Sequence, residues 1–141
     1  MSVQFKGINE VLESLEGLAD ADRFERALGK CCALVERDAK IKAPINNGEL
    51  GGSITSKVER NTEYIQGIVF TPLEYAPYVE YGTGLFAENG NGRKDVPWHY
   101  QDDKGEWHTT NGQKPQPFMR PALDENREQI LRIIKEGLSN D

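Results

Sequence analysis

Cysteine is scarce in this sequence of 141 residues, and the two cysteines, Cys31 and Cys32, are adjacent. Neighbouring side chains of a helix point in different directions, so these two thiols cannot easily form a disulfide with each other. No later cysteine completes a zinc ligand set. We therefore expect two small core-filling side chains in a reducing compartment.

Long apolar runs and clusters of basic residues are also missing. No window approaches the roughly 20 apolar residues of a membrane span, and the first residues lack a signal-peptide stretch, so we expect a soluble protein made in the cytoplasm. Lysine and arginine total 17 against 23 aspartates and glutamates, which gives a net charge of -6. Without a basic face to neutralise phosphates, specific binding of nucleic acid is disfavoured.

Apolar residues at helical spacing predict two N-terminal helices within residues 8–43. The first carries an apolar stripe with glutamates between its members, and we expect it to end near Asp20-Ala21-Asp22. Asp22 and Glu25 have the spacing of a capping box that would open the second helix. Pro44 and the following Asn46-Asn47-Gly48 should end that helix and turn the chain.

The middle of the chain changes to strand patterns. Period-two alternation and β-branched residues predict antiparallel strands within 52–71, turned at Asn61-Thr62. Pro77 and Gly82 bound a helical turn at 75–82. Glycine-rich residues and a turn between Trp98 and Trp107 predict a flexible loop with an aromatic hairpin over 83–117.

Pro121 should open a last helix over 121–138, with an apolar stripe. No strands alternate with helices in βαβ fashion, so an α+β fold is favoured. We predict one domain in which a small antiparallel β-sheet packs against two N-terminal helices and a C-terminal helix, with a long excursion of loop and hairpin.

Few residues in this sequence are candidates for catalysis or metal binding. His99, Asp102, Asp103 and His108 are close in sequence and could bind a metal, with Glu80 as the base of a metal-dependent hydrolase. Their spacing matches no standard zinc pattern, and Asp-Asp-Lys-Gly suits a turn in any case. We therefore predict no enzyme, metal or cofactor. The hydrolase, and a cytoplasmic binding module that uses the aromatic hairpin, are the alternatives.

Three segments in a fixed order carry a family resemblance. They are Ala43-Pro44 with Gly48, Leu50 and Ser53-Ile54; Tyr75-Ala-Pro-Tyr78-Val-Glu80-Tyr81-Gly82-Thr83; and Pro115-Gln-Pro117-Phe118-Met-Arg120-Pro121-Ala122. Together they resemble the gene-product-ten-like family of phage neck proteins, which serve in head-tail joining or tail completion. The second segment is the most specific of the three, and we call Tyr75 to Thr83 the signature.

The resemblance implies a structural assembly protein of a phage or prophage neck, which joins head connector and tail or completes the tail through a ring of copies. Its partners would be other neck or tail proteins. It would be monomeric when free in the host cytoplasm, and located at the virion neck or tail end when mature. Arg120 is a candidate partner for Glu80. The candidate interface residues are Pro44, Gly48, Leu50, Ser53, Tyr75, Tyr78, Glu80, Tyr81, Gly82, Thr83, Trp98, Trp107, Phe118, Arg120 and Pro121.

Overall fold

The computed structural model describes residues 1–4, 18–45, 48–88, 90, 92–102 and 104–139. The chain divides into two compact units, Met1–Pro72 together with Phe118–Asp141, and Leu73–Pro117. The first predicted helix falls mostly at residues 8–17, outside the described residues, and so does the Asn46-Asn47 part of the predicted turn.

A long helix, α1 (Leu18–Lys42), is the centre of the first unit. The predicted apolar stripe of this helix is buried, with Phe24, Leu28 and Val35 wholly inaccessible to solvent. The two cysteines face different elements: the Cys31 thiol donates to the Ile130 carbonyl, and the Cys32 thiol donates to the Lys57 carbonyl. Both are buried free thiols, which confirms their predicted role in the core.

The predicted start of this helix is wrong. Helix α1 already includes Leu18, so Asp22 and Glu25 lie inside it and do not form a capping box. Both carboxylates instead accept hydrogen bonds from Nη1 of Arg60, at 2.5 and 3.0 Å. Residues three apart lie on the same helical face, so the spacing that suits a capping box also suits shared contact with one guanidinium.

A three-stranded antiparallel sheet completes the core of this unit. Its order is β1-β3-β2, with β1 at Ser2–Gln4, β2 at Thr55–Arg60 and β3 at Ile65–Phe70. The central strand β3 is almost entirely buried, as its β-branched composition predicted. Between α1 and β2 lies a short helix, α2 (Glu49–Ser53), so the strand region begins at Thr55 and not at residue 52.

The C-terminal helix is divided into α4 (Met119–Asp124) and α5 (Arg127–Ser139), contrary to the single helix predicted over 121–138. Pro121 is the third residue of α4, where its missing N–H costs no helical hydrogen bond. The break lies at Asn126, whose amide donates to the Ala122 carbonyl and to the Asp38 carboxylate of α1. Asparagine side chains compete for backbone groups in this way and so interrupt helices.

The second unit contains helix α3 (Ala76–Tyr81), a 3-10 turn at Gly84–Phe86 and a hairpin of β4 (Trp98–Gln101) and β5 (Trp107–Thr110). The predicted hairpin is present, with Trp98 paired to Thr110 and Gln101 to Trp107. Helices and antiparallel sheets together confirm the α+β class. Among the described residues, no helix has both the length and the apolar character that a membrane crossing requires.

Candidate functional site

The signature forms helix α3 and the residues on either side of it. Ala76 and Glu80, one helical turn apart, are fully buried. The three tyrosines of the same segment are exposed, with 39% of Tyr75, 60% of Tyr78 and 38% of Tyr81 accessible to solvent. The signature therefore has one face that is built into the protein and another that presents aromatic rings.

Gly82 ends helix α3 in a conformation that other residues avoid. Its φ and ψ are 82° and 172°, and its N–H donates to the Tyr78 carbonyl at 2.9 Å. A Cβ atom at this position would lie 2.8 Å from the Phe86 carbonyl oxygen and 2.9 Å from a side-chain carbon of Pro115. Both the backbone geometry and the close packing therefore require glycine here.

Main-chain hydrogen bonds hold the end of the signature against residues 111–116. The N–H of Thr83 donates to the Gln113 carbonyl, and the N–H of Gln113 donates back to the Thr83 hydroxyl, both at 2.9 Å. Gln116 adds a bond from its N–H to the Val79 carbonyl at 2.8 Å. Thr83 thus joins the end of the signature to this loop through both its backbone and its side chain.

A groove of about 500 Å³ lies beside the exposed tyrosines. We call it the aromatic groove, and its side chains are contributed mainly by Pro77, Tyr78, Tyr81, Ala87, Arg93 and Trp98. The Arg93 guanidinium lies over the Trp98 ring, 5.1 Å from its centre. No carboxylate, imidazole or thiol is among the described lining residues, so the groove has the chemistry of a binding surface.

A comparison with protein families identifies the family of the chain. Residues 6–82, more than half of the chain, match the family described as "Bacteriophage HK97-gp10, putative tail-component". The chain belongs to the HK97-gp10-like family. This confirms the resemblance, and it gives the chain a structural role in a bacteriophage tail and a place in the mature virion. No curated protein and no solved structure matches the chain.

The HK97-gp10-like match includes the first motif and ends at Gly82 of the signature. In the first motif, Gly48 has a φ of 80° and Leu50 is buried. The Ser53 hydroxyl donates to the Leu50 carbonyl at 2.6 Å and lies 2.7 Å from the Thr71 hydroxyl. Pro44 is half-buried, and Leu50 and Ser53 belong to helix α2, which leads into strand β2.

The third motif lies outside the matched residues and belongs to the first unit. Phe118, Met119 and Ala122 are wholly buried, whereas Arg120 and Pro121 are half-buried. In the described structure the Phe118 ring is therefore a core side chain. Its place in a motif did not reveal this, because buried and exposed aromatic residues have similar neighbours in the sequence.

The structure does not bring together the two histidines of the alternative metal site in the hairpin. His99 pairs with Thr109, and His108 pairs with Tyr100. Side chains alternate between the two faces of a strand pair, so His99 and His108 lie on opposite faces. The His99 ring contacts the Thr109 hydroxyl at 2.8 Å, and Asp103 lies outside the described residues.

A smaller cluster remains on one face of the hairpin. The ligand atoms of Asp102, Glu106 and His108 lie within 4.8 Å of one another. The Asp102 carboxylate already accepts the backbone N–H groups of Lys104 and Glu106 and lies 2.7 Å from Nε2 of His108. The His108 hydrogen bond is the largest cause that lowers the pKa of Asp102. These hydrogen bonds stabilise the hairpin turn, and this structural role accounts for the cluster.

Two features of the site were missed from sequence. Arg93 lies in the stretch that we predicted as a flexible loop, yet its guanidinium lies over the Trp98 ring. Trp107 was expected in the hairpin, but only the structure shows that 69% of it is exposed. The spacing of five residues between Arg93 and Trp98 follows no helix or strand period, so no sequence pattern could have indicated their contact.

Proposed function

We propose that this HK97-gp10-like chain is an assembly protein of the phage neck. Copies form a ring that joins the head connector to the tail or completes the tail. The observation that carries this proposal is the exposure of Tyr75, Tyr78 and Tyr81, at the start of and within helix α3, whose other face is buried. Exposed aromatic residues on a rigid element are typical of the centres of protein interfaces.

The charge of the chain agrees with this position. A ring at the neck surrounds the path of DNA, and a net charge of -6 disfavours tight binding to phosphates. DNA can then pass without being held. The partners are neighbouring neck or tail proteins, and assembly takes place in the host cytoplasm from copies that are monomeric before they meet the tail.

Electron microscopy of negatively stained complexes tests the proposal. Purified protein is mixed with isolated tails and with head connectors, and we expect density for a ring at one end of the tail or on the connector. Tyr78→Glu should abolish this density while the melting temperature stays unchanged, because the side chain is largely exposed. Tyr100→Glu is the matched control, since Tyr100 is 42% exposed but does not line the groove.

The result that contradicts the proposal is specific. If the unmodified protein associates with neither tails nor connectors at any ratio of the components, a role in the neck is wrong. Association along the whole length of the tail would also contradict it, because that pattern indicates a tube or sheath protein.

A further inference from the structure

We propose that Trp107 of one copy inserts into the aromatic groove of a neighbouring copy. The inference rests on the proposed ring, and it names a contact between adjacent copies within that ring. Trp107 is 69% exposed, although tryptophan is on average one of the more buried residues of soluble domains. Tryptophan side chains that fill a pocket on a partner are among the most frequent anchors of protein interfaces.

Trp107 and the groove of its own copy lie on opposite faces of the hairpin. Trp98, which lines the groove, pairs with Thr110. Trp107 pairs with Gln101, three positions along the strand from Trp98. Paired residues share a face and successive side chains alternate between faces, so the Trp107 ring faces away from the groove. Each copy therefore carries one projecting ring and one groove that only another copy can fill with it.

The groove offers the partner that an indole ring prefers. The Arg93 guanidinium covers the Trp98 ring at 5.1 Å from its centre, yet 52% of the Arg93 side chain is exposed. A planar guanidinium stacks on aromatic rings, and tryptophan is its best cation-π partner. The exposed part of this guanidinium can receive a second indole, while Pro77 and Tyr78 add apolar surface beside it.

The charges next to the two surfaces are complementary. At the edge of the groove, residues 93–95 are Arg-Lys-Asp and have a net charge of +1. Directly before Trp107, residues 102–106 are Asp-Asp-Lys-Gly-Glu and have a net charge of -2. In copies that each carry a net charge of -6, this local pairing of opposite charges favours one mode of approach over the others.

The hairpin also presents Trp107 in a fixed position. In the turn before it, the N–H of Asp102 donates to the Glu106 carbonyl at 2.8 Å, and the N–H of Gly105 donates to the Asp102 carbonyl at 3.0 Å. A side chain on an ordered turn loses less conformational entropy on binding than one on a flexible segment. Because ring and groove are different surfaces, the contact is heterologous, which is the kind that closes into a ring.

Photo-cross-linking in the full chain tests this contact. The photoreactive residue p-benzoylphenylalanine replaces Trp107, and isotopically light and heavy copies are mixed before they bind to tails. We expect cross-linked peptides that join position 107 of one copy to residues 77–87 or 92–98 of a copy with the other isotope label. The same replacement at Tyr100, on the opposite face of the hairpin, should give few of these products. Products that join position 107 to another segment of the chain, or to a tail protein, overturn the proposal.

A double-mutant cycle provides a second readout, the protein concentration that half-saturates tails in co-sedimentation. Trp107→Ala should raise it about tenfold or more, as the loss of an interface anchor does. Arg93→Ala should raise it about two- to fivefold, the effect of a partly exposed cation-π contact. In the double variant, Arg93→Ala should add little, because the partner ring is already absent. Two effects that multiply would show that the side chains do not touch, and this result overturns the proposal.

The contact and the neck function fail in different ways. Rings that form on tails without a cross-link between position 107 and the groove would refute only the contact. Protein that associates with neither tails nor connectors would refute the neck function, and the contact with it. Melting temperatures of all variants should match that of the unmodified protein, because Arg93 and Trp107 are both exposed.

Discussion

Gly82 shows how a single residue fixes the signature. Its backbone lies in a region that is almost closed to residues with a side chain, since φ is 82° and ψ is 172°. The neighbouring Phe86 and Gln113 carbonyls leave no room for a Cβ atom. The sequence indicated a helix end at this position, but the close approach of residues 111–116 became visible only in the folded chain.

Replacement of this glycine should destabilise the protein. We expect Gly82→Ala to lower the free energy of unfolding by about 1–3 kcal/mol, from backbone strain and overlap. The matched control is Gly29→Ala, in the interior of α1, where an added Cβ meets nothing within 4 Å. That substitution should raise stability by about 0.5–1 kcal/mol. Urea denaturation measures both, and equal stability of Gly82→Ala and the unmodified protein would contradict the argument.

The carboxylate of Asp102 shows how neighbouring groups change the pKa of a single residue. The hydrogen bond from His108 and the backbone N–H groups of Glu106 and Lys104 lower its pKa below the ordinary 3.8. A carboxyl whose pKa is lower in the folded state stabilises that state above its unfolded pKa. This contribution is then lost as the pH falls through the folded pKa.

Titration of the Asp102 carboxyl by NMR tests this effect. Its midpoint should lie below 3.8 in the unmodified protein and rise toward that value in His108→Ala, which removes the largest cause of the shift. His99→Ala is the control, because His99 lies on the other face of the hairpin and should leave the midpoint unchanged. An equal response to the two substitutions would show that the assignment of faces is wrong.

Among the elements, α1 was the most predictable. Its apolar residues recur every three or four positions, and such a pattern has few interpretations besides a buried helical face. The helix start was predicted wrongly because Asp22 and Glu25 contact Arg60, a residue far away in the sequence. Strand β1 and helix α2 were not predicted, since three and five residues are too few to show a period.

The cysteines of α1 provide a test of this packing. Burial raises the pKa of both thiols to about 11, so the reactive thiolate is rare in mildly alkaline buffer. We expect a soluble thiol reagent to label neither cysteine in the native protein and both in urea. Ser2→Cys places a thiol at an exposed position and should be labelled at once in native conditions. Rapid labelling of Cys31 or Cys32 before unfolding would contradict their burial.

For the whole molecule, the motifs predicted the family, whereas the structure shows which motif residues are buried and which are exposed. Leu50 and Phe118 are buried in the first unit, while the tyrosines of the signature are exposed in the second. Sequence motifs do not distinguish these uses, because both folding and assembly favour aromatic and apolar residues. Burial depends on contacts between residues far apart in the chain, and no local pattern contains them.

Two aromatic residues allow folding and assembly to be separated. Phe118 is wholly buried, so Phe118→Ala should lower the free energy of unfolding by about 3–5 kcal/mol. Trp107 is 69% exposed, so Trp107→Ala should change it by less than about 1 kcal/mol. If the hairpin meets a neighbour in the ring, Trp107→Ala should nevertheless reduce the amount of protein that sediments with tails.

The two measurements are made on the same preparations, thermal or urea unfolding first and co-sedimentation with tails second. Leu131→Ala is the control for the loss of an exposed apolar side chain, because Leu131 is 60% exposed and belongs to α5, which contains none of the three motifs. Leu131→Ala should change neither the free energy of unfolding nor the amount of protein that sediments with tails. A Trp107→Ala protein that is stable and sediments fully with tails would exclude Trp107 from the interface, and the exposed tyrosines of the signature would remain as candidate contacts of the ring.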